Sequence, residues 1–462
     1  MNLNILKKNE LVKGSIWYTI ANTFIKGVNF LTIPLFTRML STSQYGFVNN
    51  FVAWVSIGTI VIGLNLNVAV SNAQFDYSDE IDNFIGSLVF FSLCVFGGVI
   101  LVLLMISEIV GISLEYIFLV AVQSFAMYVI SIDSALYAIE GAYAKNSFLS
   151  LLSVLCNVGI SLIFMVTLMS KAPAWGRVLG STVGLFVLAV YIIVKHFYRM
   201  SEKPKLIYIK YAAKISIPAI PHSVGALVLS QFDRIMIQAM VSGAAAGIYS
   251  YAYNLATVIN VLWLSVNTAW VPWFYRKMEE AKYVVISKAM KLSSYVFLLI
   301  TMFAVLVLVF LARFMAPTSY QGGIRLIVPI GMSYFVMFMY SFFVNTEFYY
   351  KKTKWLGYST AISAIVNVVL NLWLIPWLGY WIASVTTLIS YILLLWTHSL
   401  TAHSILKQKH LKIYPHREFL FIYGCATLYT IMATWLVDNG WLMVLLTLLM
   451  SVLMVIQIRR NI

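Results

Sequence analysis

The cations of this chain lie almost entirely on one side of its apolar segments. When fourteen such segments are drawn through the 462 residues and the amino terminus is placed inside, 22 of the 31 Lys and Arg residues fall in inner loops, and only Arg38 and Lys171 in outer ones. The other seven (Lys26, Arg177, Lys195, Arg234, Lys291, Arg313 and Arg325) lie within segments, and all but Lys26 and Arg234 are close to a segment end. By the positive-inside rule this predicts a multi-pass protein of the plasma (inner) membrane with both termini cytoplasmic. Composition agrees, because 61% hydrophobic and 10% charged residues leave far less charge than the roughly one quarter usual in soluble domains. The net charge of +15 is then juxtamembrane, set to meet anionic lipid head groups, and nucleic acid is not an expected partner.

The segments run approximately 15–37, 46–70, 84–107, 115–138, 147–170 and 176–198, then 215–241, 247–272, 291–314, 324–346, 356–375 and 381–403, with a last pair at 418–437 and 441–458. Each has close to the roughly 20 residues a helix needs to cross the hydrocarbon, and none shows the two-residue alternation of a barrel strand. The predicted fold is an all-α polytopic bundle of about 14 transmembrane helices. Its domains are a six-helix lobe over 1–198, a basic cytoplasmic connector over 199–214, a second six-helix lobe over 215–404, and an extra helix pair over 405–462. The first segment has no small-residue cleavage site behind it and is expected to stay as the first helix. Cys94, Cys156 and Cys425 are odd in number and lie in apolar segments, so no disulfide framework is implied.

Internal repetition supports the two lobes. Ser153, Asn157 and Ser161 recur as Ser363, Asn367 and Asn371 at a shift of 210 residues, each triplet a polar stripe on one helix face. Pro173, Gly176 and Ser181 recur at a shift of 203 as Pro376, Gly379 and Ser384, and Gly46 at a shift of 201 as Gly247. Two halves starting from the same side imply parallel repeats, an arrangement suited to rocking one half against the other.

Four stretches carry a family likeness: Pro34-Leu-Phe-Thr-Arg38-Met-Leu-Ser-Thr-Ser-Gln-Tyr45-Gly46-Phe, Gln231-Phe-Asp233-Arg234-Ile, Ala246-Gly247-Ile-Tyr249-Ser, and Asn367-Val-Val-Leu-Asn371 leading to Ile375-Pro376-Trp-Leu-Gly379. In their order along nearly the whole chain they resemble the polysaccharide transporters, the O-antigen and repeat-unit flippases of the multidrug, oligosaccharidyl-lipid and polysaccharide exporter superfamily. The resemblance implies two six-helix lobes around a central cavity, and a lipid-linked oligosaccharide substrate whose head group moves from the inner to the outer leaflet.

A flippase for an undecaprenyl-pyrophosphate sugar needs a few cations and hydrogen-bond donors at membrane depth, where they are expensive. Lys26, about twelve residues into the first segment, and Arg234 are the candidate phosphate contacts, with Arg325 as a candidate at the outer mouth. Lys26 has an alternative role as an ion-pair partner of Asp233. Asp233 and Arg234 are adjacent, so they point about 100° apart on a helix and are expected to have different partners. Asp133 and Asp233 are candidates for proton or sodium coupling, although Asp133, near a segment end, reads better as a hydrated carboxylate. Asn65, Asn67, Asn157, Asn254, Asn367 and Asn371 suit either sugar hydroxyls or neighbouring helices. Pro218 and Pro221 predict a kink in segment seven.

No catalytic or metal-binding pattern emerges: the six His residues are scattered, no cofactor is implied, and the outer loops are too short for a membrane polymerase. Polymerase machinery is instead a candidate partner. The competing readings are a multidrug/cation antiporter, which should carry unpaired carboxylates in place of Lys26 and Arg234, a peptidoglycan-precursor flippase of the same superfamily, and a non-transporting membrane scaffold.

Overall fold

The computed structural model describes residues 27, 28, 30–110, 113–352 and 354–461. Most of the first apolar segment, Lys26 included, lies outside them. The described residues form helices and no strand. In order these are α1 (Phe30–Met39), α2 (Thr42–Gly63), α3 (Val70–Asp76), α4 (Ile81–Val110), α5 (Leu114–Ile139), α6 (Tyr143–Ile163) and α7 (Pro173–Arg199). Then come α8 (Leu206–Ser216), α9 (Ile220–Leu227), α10 (Asp233–Met240), α11 (Gly243–Glu279), α12 (Tyr283–Met315), α13 (Ile327–Tyr349), α14 (Lys354–Leu378), α15 (Ile382–Gln408), α16 (His416–Leu436) and α17 (Gly440–Asn461). Thirteen helical stretches among the described residues are long and apolar enough to cross a membrane. A spanning backbone in hydrocarbon must satisfy its own N–H and C=O groups, and an uninterrupted helix does so within one segment.

Packing divides the chain into two compact units. One comprises Phe47–Leu227 with the described residues before Ile33, the other Ile33–Gly46 with Val228–Ile462. The core of the first unit is built from Phe84, Ile85, Leu88, Phe125, Val129, Leu185 and Ile192. Its closest helix approach is α6 on α7, made by glycines spaced four apart: a Cβ on Gly180 would stand 2.5 Å from the Cα of Ser161, and one on Gly184 2.3 Å from the Cys156 carbonyl oxygen. Where lipid tails are as apolar as leucine, close backbone contact of this kind holds helices together.

The second unit is centred on α13, buried along most of its length. At its other end α2 and α11 cross so tightly that a Cβ on Gly46 would lie 2.0 Å from the Gly243 carbonyl oxygen, and one on Gly247 1.9 Å from that of Thr42. The two glycines matched by the internal repeat thus meet in one crossing.

Three boundaries differ from the sequence reading. The helix expected to stop at residue 272 continues through Pro272 to Glu279, because Trp270, Phe274 and Met278, one turn apart, keep burying the same face. Beyond it Glu280 bridges Lys277 and Lys282, and its hydrogen bond to Lys277, more than that to Lys282, pulls the exposed carboxyl down to about 2. Segment two breaks at Leu64 and Asn65, whose φ of 46° and 58° lie in the left-handed region, and resumes as the short turn Leu66–Ala69 and α3. The basic connector is partly helical: α8 docks through buried Tyr208 and Ala212, with the Tyr208 hydroxyl donating to Glu80 and that of Tyr211 to Asp76. The expected kink in segment seven takes the form of a tight turn at Ile217–Ala219, followed by a widened turn at Val228–Phe232 directly before Asp233.

Gly180→Val is expected to abolish the α6–α7 contact and leave no monodisperse protein in size-exclusion chromatography, whereas Gly159→Ala, where a Cβ meets nothing within 4 Å, should elute and melt as the wild type does.

Candidate functional site

The widened turn in segment seven aims two adjacent charged residues into different surroundings of the second unit. Asp233, 1% exposed, is the first residue of α10. Its Oδ2 accepts hydrogen bonds from the Tyr249 hydroxyl of α11 and the Thr387 hydroxyl of α15, each at 2.6 Å, and its Oδ1 accepts one from the Asn371 amide of α14, also at 2.6 Å. Asn371 in turn accepts from the Thr386 hydroxyl, and its Nδ2 lies 3.4 Å from the Asn367 Oδ1. The Asn367 Nδ2 is buried without a partner. Among the described residues no Lys, Arg or His nitrogen comes within 4.0 Å of the Asp233 carboxylate. The result is a buried carboxylate held by hydroxyl and amide donors from three other helices, a charge that a proton would neutralise.

Arg234 turns the other way. Its Nη1 donates to the Gln231 Oε1 at 2.7 Å and its Nη2 to the Asn254 Oδ1 at 3.1 Å, while the guanidinium carbon lies 4.7 Å from the Tyr253 ring centre. Asn254 also donates to the Tyr45 hydroxyl at 3.0 Å, tying this group to the start of α2. Arg234 is 4% exposed, and its Nε has no acceptor.

The remaining site candidates separate. Lys26 lies outside the described residues. Arg325 is exposed and pairs with Asp438, and the Arg313 Nη2 donates to the Val437 carbonyl at 2.8 Å, so both arginines hold the turn between α16 and α17. Asp133 is buried, not hydrated: Lys195 donates to its Oδ2 at 2.5 Å and the His196 Nε2 lies 2.5 Å from its Oδ1, because α5 and α7 bring the three together. Asn157 takes part in holding Arg177, whose Nη2 donates to its Oδ1 at 2.8 Å and whose Nη1 donates to Ser161 at 2.7 Å. Asn65 donates to Ser223 at 3.0 Å, and Asn67 sits half-buried in the broken turn of segment two. These candidates thus lie in separate polar groups, whereas Asp233 shares one cluster with Asn367 and Asn371, and Arg234 another with Asn254.

Residues 11–278 match the model of a family described as polysaccharide biosynthesis protein. The chain belongs to this family. It is similar to two Haemophilus influenzae proteins, "Lsg locus putative protein 1", 24% identical over 78% of this chain and 90% of that protein, and an "uncharacterized membrane protein", 24% identical over 77% and 88%. Among solved structures it resembles the lipid II flippase MurJ in an inward closed conformation, with a TM-score of 0.72 at 14% identity, covering 96% of this chain and 99% of that one. It also resembles the Vibrio cholerae MATE transporter VcmN, with a TM-score of 0.56 at 14% identity over 87% of this chain and 97% of that one. The fold of this polysaccharide biosynthesis protein is therefore that of MurJ and the MATE transporters.

Sequence reading missed Tyr249, Tyr253, Thr386 and Thr387 as parts of the two clusters. Tyr249 and Tyr253 stand one turn apart on α11, the signal that both rings reach one side, and their rings are 6.0 Å apart. Nothing local marks the threonines, which acquire meaning only when α15 lies beside α10.

A double-mutant cycle of Tyr249→Phe and Asp233→Asn, read by thermal melting in detergent, should give a coupling energy of about 1–3 kcal/mol, the range for a buried hydrogen bond to a charged group. Additive effects would mean that Tyr249 does not bond the carboxylate.

Proposed function

We propose that this protein is a flippase that moves an undecaprenyl-pyrophosphate-linked oligosaccharide repeat unit from the inner to the outer leaflet for surface polysaccharide synthesis. The observation that carries the reading is the family match combined with a fold shared over nearly the full length with a protein named as a lipid II flippase. The cation asymmetry supports residence in the inner membrane with cytoplasmic termini. On this reading the lobes 1–198 and 215–404 alternate access to a central cavity, 199–214 connects them, and 405–462 is an appendage. Membrane lipids surround the protein, and the polysaccharide polymerase machinery receives its product.

Lys26 and Arg234 are assigned to the pyrophosphate. For Arg234 the support is a guanidinium already oriented by Gln231 and Asn254, with its Nε–H still free of an acceptor. Asp233 is assigned to coupling, since its buried charge is met by neutral donors alone among close partners, and a proton or sodium ion would complete it. Asp133 is a weaker assignment, because Lys195 already stands against its carboxylate.

Deleting the gene in its host should abolish surface polymer and trap lipid-linked repeat units on the cytoplasmic side, with rescue from a plasmid. Intact polymer with raised sensitivity to cationic dyes would instead place the protein with the drug exporters. Arg234→Gln and Lys26→Gln, each at wild-type abundance, should lower polymer export at least about tenfold, as loss of one charged phosphate contact worth roughly 1.5–3 kcal/mol implies.

A further inference from the structure

A second buried carboxylate lies in the same unit, away from Asp233, and no step above uses it. Glu347, near the end of α13, is fully buried, and its Oε1 lies 3.0 Å from the Nδ1 of His398 on α15, itself 1% exposed. The Tyr340 ring stacks on His398 at 5.6 Å. The Glu347 Oε2 is buried with no partner, and among the described residues no Lys or Arg nitrogen lies within 4.0 Å of the carboxylate.

The first unit holds a similar group with a different balance of charge. There too a carboxylate meets a buried imidazole, Asp133 with His196, but Lys195 adds an ammonium. With the histidine neutral, that group sums to zero charge. Glu347 with a neutral His398 sums to minus one in an apolar interior, an expensive state. One bound proton cancels it. The pair therefore gains from taking up a proton where the Asp133 group does not.

Titratable groups gather toward the end of α15 that carries Lys407. His416 is exposed, and its Nε2 lies 3.2 Å from the Nε2 of half-buried His403. The His403 ring lies 5.0 Å from that of Tyr414, whose hydroxyl donates at 2.6 Å to Thr346, the residue before Glu347. The titratable groups around the pair are Tyr340 of α13, Tyr350 just past its end, His403 of α15, Tyr414 of the following loop and His416 of α16. Burial holds the phenol of Tyr414 far above its usual range, so it stays neutral. The other packed helices present neutral groups or closed pairs: α11 brings Asn267, Trp270 and Phe274, α12 brings Phe297, and the Lys291 of α12 is bound to Glu418 of α16.

We propose that Glu347 and His398 form a proton-binding site, reached from the side of His403 and His416, in which the imidazolium Nδ1–H donates to the Glu347 carboxylate. This site is separate from the coupling assignment of Asp233 and does not rest on the flippase reading.

Histidine NMR on the full chain, 13C/15N-labelled and held in lipid nanodiscs, tests it, because six histidines allow His398 to be assigned by His398→Gln. Over a titration series the imidazole of His398 should pass from neutral to protonated as the pH is lowered. Glu347→Gln removes the charge that favours the imidazolium, so the neutral form of His398 should gain at a given pH and the midpoint should move. After a pH jump, the His403→Gln/His416→Gln double variant should reach the same midpoint more slowly. If Glu347→Gln does not fold, Glu347→Asp, which keeps the charge and withdraws it from the ring, should move the midpoint by a smaller amount. A His398 that keeps one state across the series, or a midpoint indifferent to both Glu347 substitutions, would overturn the site. An unchanged rate in the double variant would overturn the route.

Discussion

Charge inside hydrocarbon has to be met by a partner, and this constraint organises the polar interior of the protein. Asp233 is the sharpest instance. Its carboxylate is held by three neutral donors from three other helices, so that α10, α11, α14 and α15 are tied to one atom group. The adjacent Arg234 does not neutralise it at close range but reaches Gln231, Asn254 and the Tyr253 ring. Two neighbouring residues thereby bind two different sets of helices, and the widened turn at Val228–Phe232 that precedes them is also where the chain passes from one compact unit to the other.

Several polar residues within the described helices bond neighbouring helices or turns. Arg177 fills the stripe of Asn157 and Ser161, Asn65 bonds Ser223, and Arg313 with Arg325 pins the final helix pair. Each such bond contributes only about 0.6–2 kcal/mol in a membrane, because the separated helices find other partners. Among the buried groups left without a partner are the Nε of Arg234, the amide of Asn367 and the Oε2 of Glu347. A transporter needs sites that something else can complete, and the Asn367 amide and the Glu347 Oε2 belong to the clusters of the two buried carboxylates that have no Lys or Arg nitrogen within 4.0 Å among the described residues.

Much of the fold was legible because the bilayer reduces folding to a one-dimensional pattern. The apolar runs mark the spans, and the repeat between Gly46 and Gly247 was visible before the two were seen to meet. The different partners of Asp233 and Arg234 follow from helical spacing alone. Helix ends were less legible: α11 runs on past Pro272 because Trp270, Phe274 and Met278 bury one face, a matter of what lies opposite. Asp133 read better as a hydrated helix-end group than as a coupling one, since nothing near it in sequence shows that Lys195 and His196 arrive from 62 and 63 residues away.

The sequence by itself determined that the chain is helical and that it crosses a membrane many times, because these depend on the length and composition of each segment against the thickness of a bilayer. Only the tertiary structure decided which buried charges are already balanced. Asp133 and Glu347 are both acidic residues near the ends of apolar helices, and one meets Lys195 while the other meets an imidazole alone. That difference depends on what neighbouring helices carry at the same depth, and proximity in space is not written in any single segment.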